Sequence, residues 1–253
     1  MPNRYNQLIA KLAKKPMSIN EFETFLGQIG GLFADITLER ELIKQSGIPL
    51  YFTNHQVFLK TTLTPYLEQK FCIVDIETNG HNPYLHQPIE IGAILYQNNK
   101  ILDTYSTLIY NPNLPDTITK LTGITPQMLK DAPKIHQVLE SFKLFLGDSI
   151  FVAHNVDFDF NFLSQSYHHN GFGYLYNTKL CTIKLARKLI CSPRYSLGFL
   201  NTFLNINHPT LHRALDDCLV ALEVFKIALK ELKPNIHTSY DLLQFVQNNP
   251  KSN

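Results

Sequence analysis

The stretch Phe71–Gly80, Phe-Cys-Ile-Val-Asp-Ile-Glu-Thr-Asn-Gly, decides how the rest of the chain is read. It opens as an apolar, β-branched run, the composition of a buried strand, and closes on Asn79-Gly80, a turn signal. Within it, Asp75 and Glu77 stand two residues apart. Residues i and i+2 of a strand point to one face, so both carboxylates converge at the strand's C-terminal end. Two like charges held that close in apolar surroundings are costly unless a cation joins them. A surface strand with two solvated acids explains an isolated Asp-x-Glu equally well. Other parts of the chain must decide.

Downstream, strands and helices alternate. Ile89–Gln97 and Ile101–Tyr110 flank Asn98-Asn99-Lys100 and predict a hairpin beside the first strand. Ile118–Lys130 predicts a short helical region broken at Thr122-Gly123, and Ile135–Leu146 an amphipathic helix. Ser149–Ala153 predicts another apolar strand, with His154-Asn155 leading into a helix through about Tyr167. Leu180–Leu189 and Leu197–Leu204 predict shorter helices, and Ala214–Leu232 the last strong one. Mixed strands with helices enough to cover both sheet faces indicate an α/β domain.

Upstream, residues 1–69 read as a small separate unit. Leu8, Ile9 and Leu12 have helical spacing, and Ser18-Ile-Asn-Glu forms a capping box ahead of Phe22, Phe25, Leu26 and Ile29. Gly30-Gly31 breaks that helix. A third helix covers Ile36–Gln45, and Leu50–Thr53 with Gln56–Lys60 predicts a hairpin around Asn54-His55. Three helices and a hairpin are the element order of a winged helix-turn-helix. The eight Lys and Arg of residues 1–70 against six acids make no strong DNA footprint, so a protein-docking module fits as well. Residues 233–253 form a tail with one short amphipathic helix, Ser239–Val246, and a frayed polar end. Asp241-Leu242-Leu243-Gln244-Phe245 has a faint flavour of a sliding-clamp peptide, but a helix stripe is the better reading.

Hydrophobic residues make up 44% of the 253, enough for a sizeable core, and the net charge of +2 neither announces nor excludes nucleic acid. Cys72, Cys181, Cys191 and Cys218 show no Cys-x-x-Cys spacing and read as packed thiols in a reducing, cytoplasmic setting. No apolar run is long enough to span a membrane. The basic, acid-free first twenty residues faintly suggest a transit peptide, but they run into an amphipathic helix pattern.

Two further acidic sites answer Asp75 and Glu77. His154-Asn155-Val156-Asp157-Phe158-Asp159 puts acids on the first turn of a helix, where the dipole favours them. His212-Arg213-Ala214-Leu215-Asp216-Asp217 enters the long C-terminal helix, with an imidazole at its mouth and acids about one turn deeper. Each site alone is as well read as a helix-start acid. Taken in order, Asp75-Ile-Glu77, His154-Asn-Val-Asp-Phe-Asp159 and His212-x-x-x-x-Asp217 resemble the three motifs of the DEDDh family of 3′–5′ exonucleases. The nearest likeness is to the proofreading (epsilon) subunit of bacterial replicative DNA polymerase. Ile89-Glu-Ile-Gly92, Leu121-Thr-Gly-Ile-Thr125, Lys184-Leu-Ala-Arg187 and Tyr195-Ser-Leu197 add to it, and the likeness covers about residues 70–230.

The resemblance implies a ribonuclease H-like mixed sheet flanked by helices over residues 70–232. It implies that Asp75, Glu77, Asp159 and Asp217 hold two Mg²⁺ or Mn²⁺ ions and that His212 takes the proton from the attacking water. Hydrolysis of a phosphodiester by paired cations roughly 3.5–4 Å apart needs such oxygen ligands, and imidazole suits proton transfer. Thr78, Asn155 and Phe158 would border the terminal nucleotide, although Phe158 also fits plain core. Lys179, Lys184, Arg187, Lys188 and Arg194 could meet phosphates or form a solvated face. Helical periodicity does not choose between Asp157 and Asp159, or between Asp216 and Asp217; the family spacing selects the second of each pair. Cys181 departs from the family, many of whose members carry Asp there. The implied activity is a metal-dependent exonuclease on single-stranded or frayed DNA 3′ ends, in proofreading or repair beside a polymerase catalytic subunit. RNA trimming is the near alternative, and a non-catalytic interaction module the distant one.

Overall fold

Alternation along β4 (Phe71–Thr78) sets the two faces of the central sheet. In the computed structural model, which describes residues 4–30, 35–209 and 212–248, Phe71 and Ile73 join one buried cluster while Cys72, Val74 and Ile76 join another. Asp75 and Glu77 continue the Phe71 face, so one row of side chains changes from apolar to acidic as the strand leaves the core. Beside it, β5 (Pro88–Gln97) runs antiparallel, with Gly92 opposite Asp75 and Glu90 opposite Glu77. The hairpin into β6 (Lys100–Leu108) turns on Asn98 and Asn99, both at positive φ, the geometry of a two-residue hairpin turn.

On the other side of β4 lies β7 (Ile150–Ala153), parallel to it, and then β8 (Lys179–Cys181). The sheet order is β6-β5-β4-β7-β8, mixed and flanked by helices, as a ribonuclease H-like fold requires. After α4 (Asp116–Thr122) and α5 (Pro126–Lys130), separated at Gly123 in the left-handed conformation, come the helices that cover the sheet. The Cys72 face is covered by α6 (Ile135–Leu146) and α7 (Val156–His169). The Phe71 face is covered by α8 (Thr182–Leu189), α9 (Leu197–Phe203) and α10 (Ala214–Lys230). One boundary differs from the sequence reading. Leu180 and Cys181, expected to begin a helix, belong to β8, whose three residues are too few for strand alternation to show.

The N-terminal residues form α1 (Arg4–Leu12), α2 (Ile19–Gly30), α3 (Ile36–Gln45) and the strands β2 (Leu50–Phe52) and β3 (Gln56–Leu59). A two-residue strand, β1 (Met17–Ser18), adds to the expected hairpin in the order β1-β3-β2. The capping box forms: Glu21 N donates to Ser18 Oγ, and Ser18 N donates to Glu21 Oε2. Leu8, Leu12, Phe22, Leu26, Ile43 and Val57 build a core of their own. That core is seated on the main body: Tyr176 and Tyr240 pack against it, Tyr5 and Tyr176 meet edge to face, and Lys60 pairs with Asp148 at 2.8 Å. The side chain of Ile29 and the residue Gly31 lie outside the described residues.

The tail helix α11 (Ser239–Gln247) is capped by Thr238 and buries Leu242, Leu243 and Val246 in the Phe71-face cluster. Burial of both leucines bears out the helix-stripe reading over the clamp-peptide one. The polar end at 249–253, expected to fray, lies outside the described residues.

A Cβ added at Gly92 would sit 2.3 Å from the carbonyl carbon of Ala214 and 2.4 Å from the Leu215 nitrogen. Both are backbone atoms, so no side chain can swing aside, and the first turn of α10 approaches β5 this closely only over glycine. Gly92→Ala is expected to destabilise the fold by about 1–3 kcal/mol, the usual cost of overpacking. A lowered urea midpoint checks this, and an unchanged midpoint contradicts the close approach.

Candidate active site

Three elements meet at the C-terminal end of β4. The strand itself supplies Asp75 and Glu77, both half-buried, and α10 supplies Asp217 from its first turn. Each of these three offers a carboxylate oxygen, and the three oxygens lie within 4.8 Å of one another. The fourth acid, Asp159, is buried on the first turn of α7 and accepts hydrogen bonds from its own backbone N–H and that of Ile76. It stands outside that tight triplet but near enough for its charge to act on Asp75 and Glu77.

Burial and mutual repulsion push these groups toward their neutral forms. Asp75 is raised well above the ordinary aspartate value by burial first, then by the charges of Asp159, Asp217 and Glu77. Glu77 is pushed up to about 8 by burial, with Asp217 and Glu90 adding to it. Burial takes Asp159 to about 7 against the backbone N–H groups that favour its anion. Asp217 is raised by burial, with part of the shift offset by the hydrogen bond from His212 N.

The start of α10 is held by groups the sequence reading named but gave no role. Glu90 is 2% exposed and accepts from Arg213 Nε and Nη2, the shortest contact being 2.7 Å. It also accepts from Ala214 N at 3.1 Å, capping the helix. Glu90 faces Glu77 across the strand pair, where like charges repel, and Arg213 neutralises one of them. His212 is exposed, with φ at 65°, and its backbone N–H donates to Asp217 Oδ2 at 3.3 Å. The imidazole therefore starts from the rim of the acid cluster.

The acids passed over by the family spacing have other partners. Asp157 is half exposed and pairs with Lys179 at 2.6 Å and Lys184 at 3.6 Å, and these hold its carboxyl below the ordinary range. Asp216 lies 3.8 Å from His208. Lys188 is occupied at the end of α11, where it donates to the carbonyls of Phe245 and Asn248. His154 is a bracket: Nε2 donates to the Tyr195 carbonyl and Nδ1 meets Thr182 Oγ1, both at 2.8 Å. Burial lowers its pKa, consistent with a neutral ring. Thr78 is buried and donates to the Gly80 carbonyl, Asn155 is exposed in the left-handed conformation at the head of α7, and Phe158 is half-buried against Phe162. Cys181 precedes α8 without capping it.

Residues 72–225 match the RNase_T family model, described as an exonuclease. The chain belongs to that exonuclease family. Over 170 residues it is 39% identical to a DNA polymerase III PolC-type of Caldanaerobacter subterraneus subsp. tengcongensis, covering 66% of this chain and 12% of the polymerase. A PolC-type polymerase of Staphylococcus aureus is 32% identical over 195 residues, covering 76% of this chain and 13% of the other. The chain thus spans about an eighth of the length of these relatives, which carry the PolC-type name and not that of an epsilon subunit. E. coli exonuclease I in complex with a dA16 oligonucleotide has a TM-score of 0.61 at 18% identity, over 72% of this chain and 44% of that one. Exonuclease X in complex with 5′ overhanging duplex DNA gives 0.51 at 25% identity, over 68% and 99%.

The acid cluster fits a divalent cation on its own chemistry. Its donors are all carboxylate oxygens, the choice of hard cations. Asp217 belongs to the cluster, and its Oδ1 is buried with no hydrogen-bond partner among the described residues. A buried acceptor without a partner is costly, and a cation removes that cost.

The raised values of Glu77 and Asp159 carry a sign. A carboxyl whose folded pKa lies above its unfolded one binds its proton more tightly in the folded chain. That stabilisation is complete below the ordinary values of 4.5 for Glu77 and 3.8 for Asp159 and is lost as pH rises through about 8 and about 7 respectively. In chelator, the melting temperature of the chain is therefore expected to fall as pH climbs over this window, and Glu77→Gln to flatten the fall. A Glu77→Gln variant that falls as steeply as the parent contradicts the assignment.

Proposed function

We propose that the chain is a metal-dependent 3′–5′ exonuclease that hydrolyses DNA 3′ ends to nucleoside 5′-monophosphates in replication proofreading or repair. The observation that carries this is the convergence of Asp75, Glu77 and Asp217 oxygens within 4.8 Å, in a chain of the exonuclease family. Asp75, Glu77, Asp159 and Asp217 would hold two Mg²⁺ or Mn²⁺ ions. Such ions, when bound, stabilise charge on phosphoryl oxygens and make water a better nucleophile.

The remaining work falls to the chain. A ring nitrogen of His212 accepts the proton of the attacking water, and its exposure lets that proton pass on to solvent. The water oxygen bonds to phosphorus as the bond to the 3′ oxygen breaks, and solvent reprotonates that oxygen. Asp217 serves twice, as a ligand and as the acceptor that fixes the His212 backbone. Thr78, Asn155 and Phe158 border the terminal nucleotide, Asn155 from the exposed head of α7.

Residues 70–232 form the exonuclease domain in this reading, with 1–69 appended before it and 233–253 fastening the tail. The PolC-type relatives support action beside a DNA polymerase catalytic subunit.

End-labelled single strands of DNA and RNA, incubated with Mn²⁺, test the reading. DNA is expected to shorten from its 3′ end. Asp159→Asn and Asp217→Asn are each expected to abolish cleavage, while Asp157→Asn and Asp216→Asn keep most of it. His212→Asn should lose roughly a hundredfold or more in turnover, the usual scale of a proton-transfer group, and still bind Mn²⁺. An inactive Asp157→Asn beside an active Asp159→Asn would put the site out of register.

A further inference from the structure

The family match begins at residue 72 and leaves the N-terminal unit without an assignment. Its surface carries a groove of about 700 Å³ between the end of α1 and α2, with Lys11, Lys14 and Lys15 along one wall. A second depression of about 380 Å³ shares Phe25 and Gln28 with it and adds Arg4 and Gln7. Arg4, Lys11 and Lys15 fall seven and four residues apart, one stripe along a helix and the turn that continues it. The opposite wall presents Asn20, Thr24 and Gln28, uncharged hydrogen-bonding groups on α2.

Two observations separate this groove from an ordinary solvated face. None of the four cations has an ion-pair partner among the described residues, whereas α3 spends its cations internally, Arg40 on Glu23 and Lys44 on Glu41. The helix dipole accounts for lysines at the end of α1 but not for Arg4 in its first turn, where a cation is disfavoured. The acid in the groove, Glu21, is tied first to Ser18 by its capping box, with the charge of Lys15 acting on it as a smaller influence.

The geometry points to this α1–α2 groove as a binding site for the phosphodiester backbone of duplex DNA, read without regard to sequence. Three cations along a stripe with Lys14 beside them, faced by the amides of Asn20 and Gln28, make the contacts that position a backbone. The aromatic floor, Phe25, is 7% exposed and offers no ring on which a single strand could stack its bases. In this unit the helix that a helix-turn-helix would insert into the major groove is α3, and its paired charges leave the contact to α1 and α2. The choice of DNA as the polyanion rests on the nuclease reading above.

A DNA duplex of about 20 base pairs closed by hairpin loops at both ends tests this, because it has no 3′ end for the nuclease site to hold. Binding of the full chain, followed by anisotropy in chelator, should weaken with salt with a log–log slope of about −3.6, four phosphate contacts at −0.9 each. The triple variant Lys11→Gln, Lys14→Gln, Lys15→Gln should lose about 2.7 of that slope and bind at least tenfold more weakly, while digesting a short single strand at the parent rate. Gln7→Lys, which adds a cation to the same surface, should bind at least twofold more tightly. A triple variant that binds the closed duplex like the parent overturns the proposal. So does a parent that ignores the duplex but takes polyglutamate with the same lysine dependence, which marks an acidic protein partner instead.

Discussion

The ion pair between Glu90 and Arg213 fixes where the site can form. Asp75 and Glu77 are placed by a strand, and alternation alone brings them to one face. Asp217 comes from a helix more than a hundred residues later, and its position depends on how the start of α10 is tied to the sheet. Glu90 makes that tie with three contacts to Arg213 and one to Ala214 N, from a carboxylate 2% exposed. Removing Arg213 would leave the buried Glu90 carboxylate uncompensated, at a cost below the roughly 3–5 kcal/mol typical of fully buried pairs because the Arg213 side chain is 38% exposed. Gly92, one strand position further along the same face, lets the helix backbone come down onto β5. Together they bring the start of α10 to the sheet, where Asp217 meets Asp75 and Glu77.

The cluster so assembled opposes the fold that holds it. Burial raises all four acids, neighbouring carboxylates add to it at Asp75, Glu77 and Asp217, and Asp217 Oδ1 is buried without a donor among the described residues. Two other polar side chains near the sheet find local partners: the Asn177 amide nitrogen donates to the carbonyls of Gly147 and Ser149, and His154 joins Thr182 to Tyr195. A site that is costly when empty is one whose folding and cation binding are coupled.

Much of this was legible in the sequence because the relevant signals are local. Strand alternation in Phe71–Thr78, the turn at Asn98-Asn99 and the Ser18 capping box each lie within a few residues. The strand Lys179–Cys181 was not, since three residues carry no period. Neither was the role of Glu90. Its phrase Ile-Glu-Ile-Gly reads as a strand with one acid, and what makes that acid important is an arginine 123 residues away. The choice of Asp159 over Asp157 needed the family spacing in the sequence. In the structure the two acids differ in surroundings: Asp157 pairs with two lysines, while Asp159 is buried with its charge acting on Asp75.

The central claim is that these carboxylates are assembled for cations, and the most direct measurement is Mn²⁺ uptake by the intact chain, followed by calorimetric titration without any nucleic acid. The account expects saturable binding that is lost or strongly weakened in Asp217→Asn and kept in Asp216→Asn, the adjacent acid on the same helix turn. Equal uptake by the two variants, or no saturable uptake by the parent, would contradict it.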